Sequence, residues 1–105
     1  MKDNIYHRTC NQLRDYLISE GICIESVGRC YVGFKNYYNL QFNIAEEDYN
    51  LETSENILNI GKLLGVENIG LVDFDEFKGR IHEVYIIDEE ELNEKYLDNG
   101  DLIFK

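Results

Sequence analysis

At 105 residues, 44% of them apolar, the chain is a single domain with enough apolar material for a packed core, which excludes a disordered tail and a disulfide-stapled miniature. Its formal net charge of −11 opposes contact with nucleic acid and with anionic lipid, and favours a basic partner. No apolar run approaches the ~20 residues of a membrane span.

The start, Met1-Lys2-Asp3-Asn4, lacks a signal-peptide pattern. The cysteines (Cys10, Cys23, Cys30) are odd in number, and no pair has Cys-x-x-Cys spacing. Together these features lead us to expect a reducing, cytoplasmic setting without a zinc or redox pair. Asn, Ile and Tyr are abundant, the bias of an AT-rich genome or mobile element, yet lysine numbers only six. The acid surplus is therefore not codon bias. It is also uneven: residues 1–45 carry four acids and five bases, whereas residues 46–105 carry seventeen acids and five bases.

Residues 3–20 have the pattern of a helix, capped by Asp3 or Asn4 and stopped by Gly21. Tyr6, Cys10, Leu13, Tyr16 and Leu17 share one face, with Arg8, Asn11 and Asp15 opposite, so Cys10 reads as a small core residue. Residues 22–27 and 30–34 are β-rich runs around Gly28-Arg29, a pair suited to a two-residue hairpin turn. Lys35-Asn36 then reads as a second turn.

Tyr37 to Ile44 alternates strictly. Tyr38, Leu40, Phe42 and Ile44 lie on one parity; Tyr37, Asn39, Gln41 and Asn43 lie on the other. This is a strand with one buried and one wet face, and it closes an expected three-stranded antiparallel meander.

Residues 45–52 are acidic (Glu46, Glu47, Asp48, Glu52) and read as a loop. Thr53 or Ser54 caps a second helix that ends at Leu64 before Gly65. Its wide apolar arc (Ile57, Leu58, Ile60, Gly61, Leu63, Leu64) implies deep packing, or alternatively contact with another chain. Residues 68–74 and 81–87 are further strands, 88–99 an acidic helix ended by Gly100, and Leu102-Ile103-Phe104 a terminal edge strand. The order predicts an α+β fold: a mainly antiparallel sheet with helices packed on one face.

Catalytic motifs fail on inspection. Asp73-Phe74-Asp75 lacks the rest of a calcium loop, since Phe77 and Lys78 stand where ligands and glycine belong. Glu76-Phe77-Lys78 has the Glu-x-Lys form of some nucleases, but the charge repels such a substrate. His7 and His82 have no local nucleophile beside them, and Gly61-x-x-x-Gly65 lacks the Lys-Ser/Thr of a phosphate loop. Arg29 and Lys35 are too few to hold a nucleic-acid backbone against Tyr31, Tyr37 and Tyr38. We therefore expect no enzyme, no cofactor and no metal.

The acidic helix carries a mechanism. Glu90, Glu91, Glu94 and Asp98 fall on one face and Leu92 and Tyr96 on the opposite one. Steps of three or four residues separate the carboxylates by roughly 4.5–6 Å, the order of the ~3.4 Å advance per nucleotide of a nucleic-acid strand. Beside Glu46, Glu47 and Asp48, such a row suits a basic groove built for DNA or RNA, with Tyr49, Tyr85 and Tyr96 as aromatic anchors.

In size, charge, tyrosine content and lack of a catalytic set, the chain resembles the small acidic decoys of phages and mobile elements, the antirestriction proteins and anti-CRISPRs. That resemblance implies an inhibitor that mimics nucleic acid and occupies the basic surface of a nucleic-acid-binding protein. The alternative is an antitoxin-like or immunity-like binding module, or a homo-oligomeric subunit, without mimicry.

Overall fold

The computed structural model of the chain describes residues 5–49 and 59–104. Among these residues the fold is α+β: a four-stranded antiparallel sheet, a separate two-stranded ribbon and three α-helices. The expected caps Asp3, Asn4, Thr53 and Ser54, the loop acid Glu52, Ile57, Leu58 and the side chain of Tyr6 lie outside the described residues.

Helix α1 spans Ile5–Ser19 and buries Cys10, Leu13 and Leu17, the face expected from their spacing. It ends where Gly21 takes a left-handed φ of 85°. Ile22 N–H then donates to the Leu17 carbonyl at 3.0 Å and Gly21 N–H to that of Ile18 at 3.0 Å. This pair of bonds satisfies carbonyls the helix would leave orphaned.

Strand β1 is Ser26–Val32 and β2 is Lys35–Ala45, paired from Ser26↔Gln41 to Val32↔Lys35. The hairpin turn is therefore Gly33-Phe34, with φ of 56° and 67°, and not Gly28-Arg29. Gly28 and Arg29 run through the strand opposite Asn39 and Tyr38, and Lys35-Asn36 opens β2. The three strands expected between 22 and 44 are two. Both segments offered a glycine-led turn, and pairing with the alternating strand decided between them.

After a 3-10 turn at Glu46–Asp48, helix α2 (Ile60–Leu64) buries Ile60, Gly61 and Leu64, and Gly65 ends it in the left-handed region. The described part of this helix is packed into the core. Strand β3 (Ile69–Phe77) and β4 (Arg80–Asp88) form a second hairpin around Lys78-Gly79, both at positive φ. Each strand is longer than its apolar run suggested, because the ladder continues through Asp75, Glu76 and Phe77 to Arg80. The sheet order is β1-β2-β4-β3, so β4 inserts between β2 and β3.

Helix α3 (Glu89–Tyr96) is shorter than the expected 88–99. Strands β5 (Leu97–Asp98) and β6 (Asp101–Leu102) make a ribbon about Asn99-Gly100, a dipeptide that is itself a strong hairpin signal. Leu102 thus belongs to this ribbon, apart from the main sheet, while Ile103 and Phe104 lie outside any strand.

Strand parity locates the core. Tyr38, Leu40 and Phe42 of β2 face Ile87, Tyr85 and Glu83 of β4, and all six are buried. Leu13, Leu17, Ile60, Leu64 and Leu92 from the helices close over them. Phe42 and Tyr85 meet edge to face, with centroids 5.9 Å apart. Burial of Cys10 in this cluster pushes its thiol pKa up.

Candidate protein-binding surface

The start of α3 is built by side chains from distant strands. Asp88, at the end of β4, caps the helix by accepting from Glu90 N–H at 3.0 Å and Glu91 N–H at 3.5 Å. It also receives Lys35 Nζ at 2.5 Å. That ammonium holds the Asp88 carboxyl below its usual range, with the two cap bonds helping and burial opposing. Glu89 is gripped by the Arg29 guanidinium through two bonds of 2.6 and 2.7 Å, with only 15% and 19% of the two side chains exposed.

Glu91 turns away from its neighbours. Its two oxygens accept from Glu67 N–H at 2.8 Å and Asn68 N–H at 3.0 Å, which lowers its pKa and ties α3 to the entry of β3. Three carboxylates of this cluster are therefore committed to the fold. Glu90 and Glu94 are exposed, one helical turn apart, and no ion pair engages them among the described residues.

Between these two and the β1–β2 turn lies an open groove of about 610 Å³. Phe34, Lys35, Asn36, Asp88, Glu89, Glu90, Asn93 and Glu94 line it. Phe34 is 90% exposed and held at φ 67°, a conformation that bulky L-residues rarely adopt. Strain of this kind concentrates at binding and switch positions. Sequence reasoning missed Phe34 by placing it inside a strand; the available signal was Gly33-Phe34 ahead of the alternating run.

The other expected site residues are scattered. Glu46, Glu47 and Asp48 are exposed, but they follow Ala45, which pairs with Arg80, whereas α3 follows Asp88, which pairs with Tyr37. Eight residues of strand, roughly 26 Å at ~3.3 Å each, separate the two acidic groups. They do not lie beside one another as the sequence reading supposed. Asp98 is exposed on β5, beyond the helix end, so it extends no helical row of carboxylates.

Two of the three tyrosines expected as anchors face inward. Tyr85 is 1% exposed because its parity on β4 points into the core, and burial raises its hydroxyl pKa. Tyr96 donates from its hydroxyl to the Leu64 carbonyl at 2.6 Å and packs at 4.7 Å on the Phe104 ring, which in turn stacks on Tyr16. Tyr49 is half-buried and donates to Glu83 Oε2 at 3.3 Å. Glu83 is 2% exposed, and its Oε1 has no hydrogen-bond partner among the described residues.

The groove offers two carboxylates, without an ion pair among the described residues, to cationic groups and one aromatic ring to an apolar contact. Among the described residues no three His, Cys, Asp or Glu side chains gather in a way that would hold a metal ion. Among the described residues no helix is long and apolar enough to cross a membrane. Comparison of the chain with protein families, with curated proteins and with solved structures finds no match.

Proposed function

We propose that the chain is a non-enzymatic binding protein that inhibits a nucleic-acid-processing protein by docking on its basic surface through the groove between the β1–β2 turn and α3. The observation that carries this reading is Phe34, exposed and backbone-strained at the lip of a groove whose outer carboxylates, Glu90 and Glu94, have no ion pair among the described residues. Exposed aromatic side chains are enriched at the cores of protein interfaces, which carry a polar rim. The net charge of −11 steers the approach to a basic target, with an on-rate that falls as salt rises. The mimicry is local: Glu90 and Glu94 offer charge at one end of the sheet, and Glu46–Asp48 offer a separate patch at the other.

The test uses immobilised protein and host-type lysate, with one half eluted by salt and the other by duplex DNA or RNA. A nucleic-acid-binding protein released by both eluants, and lost from the Glu90→Lys/Glu94→Lys variant, is the expected result. Glu91 is left intact in that variant because reversing it breaks the bonds to Glu67 and Asn68. A partner that nucleic acid does not displace refutes mimicry and moves the reading to an antitoxin-like or immunity-like module.

A further inference from the structure

Among the described residues, strand β3 stands at the edge of the sheet. It pairs with β4 on one side and, among the described residues, with nothing on the other; every residue from Gly70 to Phe77 is exposed. Leu71, Val72, Phe74 and Phe77 lie on it, Phe77 at 67% exposure. The opposite edge is different, because most of β1 is half-buried and Arg29 on it is locked to Glu89. Natural sheets blunt an edge with charge and bulges. Here the ladder skips Val72, a one-residue bulge, leaving 73–77 as a regular run.

Charge decides what that run accepts. Asp73 and Asp75 share the outer face with Val84 and His82, while Phe74 and Glu76 share the core face with Glu83 and Ile81. No ion pair engages Asp73, Asp75 or Glu76 among the described residues. A second copy added antiparallel about Phe74 sets Asp73 against Asp75; shifted by one, it sets Asp73 against Glu76. A parallel copy in register sets each acid against itself. Like charges directly opposite destabilise a strand pair.

We infer that the β3 edge is a docking site for an extended segment of another protein that alternates basic and apolar residues. Its backbone adds a strand to the sheet. Two Lys or Arg side chains, two residues apart, meet Asp73 and Asp75, and the apolar residue between them meets Phe74. This surface is separate from the α3 groove and does not depend on it.

The probe is a capped seven-residue peptide alternating lysine and valine, compared with a peptide of the same composition that has its valines grouped. Binding is read from amide shifts and hydrogen exchange. The alternating peptide is expected to bind roughly tenfold more tightly than the grouped one, since matched cross-strand pairs supply the difference. It is also expected to protect amides within 72–77, to lose its advantage in Asp73→Lys/Asp75→Lys, and to be unaffected by Glu90→Lys/Glu94→Lys. Equal binding of the two peptides, unprotected β3 amides, or loss only in the α3 variant overturns the assignment. So does a concentration-dependent dimer by light scattering that protects the same β3 amides without peptide, since the occupant would then be a second copy.

Discussion

Phe34 sits in the second position of a two-residue turn, where φ is positive and glycine or asparagine is the ordinary choice. Holding a bulky L-residue there costs about 1 kcal/mol. Replacing it by glycine removes that strain and also the exposed ring. Phe34→Gly is therefore expected to raise the melting temperature, by calorimetry, while weakening partner capture. A variant that melts lower would show that the ring stabilises the turn and is not held there for binding. Glu83 breaks its own strand's pattern in the same way, since its position faces the core and a carboxylate occupies it. Glu83 was not legible as special, because a β-rich run absorbs one glutamate without losing its period; for Phe34 the one signal was the Gly33-Phe34 pair ahead of the alternating run.

At the scale of elements, α3 shows how a helix start is fixed from outside. Its first turn holds Glu89, Glu90 and Glu91, which complement the helix dipole, but dipole and cap alone do not orient it. Asp88 joins cap and ion pair in one side chain, and Tyr38 donates to Asn93 Oδ1 at 2.8 Å to fix the helix over β2. Asp88→Ala is expected to cost roughly 1–2 kcal/mol in urea denaturation with an unchanged slope, as for other lost caps. A cost near zero would mean that the Arg29–Glu89 pair and the tyrosine bond position the helix without Asp88. The acidic character and amphipathic period of this helix were readable in sequence. Which of its carboxylates remain free was not, because Arg29 lies 60 residues from Glu89 and Lys35 lies 53 from Asp88.

For the whole molecule, pH sets two effects against each other. Asp88, held down by Lys35, Glu91, held down by backbone N–H groups, and Asp101, held down by the Gln12 amide and Arg8, all have lowered pKa values. The folded form binds their protons less readily than the unfolded chain. Their stabilisation is complete above the ordinary carboxylate range near pH ~4 and drains away as pH falls through the lowered values. Repulsion among the unpaired acids acts oppositely and relaxes on acidification. The melting temperature is therefore expected to hold or rise from pH 7 to about 5 and to fall below about 4. Added salt at pH 7 should raise it by screening the same repulsion. Continued stabilisation down to pH 3 would show that repulsion outweighs the three bound carboxylates.

The sequence by itself determined the parts that repeat locally. The alternation of 37–44 made β2 a strand with a core side, the 3.6-residue spacing of Cys10, Leu13 and Leu17 made α1 amphipathic, and the order of elements made the fold α+β. Side-chain direction in a strand or helix follows from backbone period alone, so these features need no distant partner. Tertiary structure decided the rest: that β1 continues through Gly28-Arg29, that β4 lies between β2 and β3, and that two acidic segments sit at opposite ends of the sheet. Each depends on pairing between residues far apart in sequence, where register selects one of several turns that local chemistry permits equally.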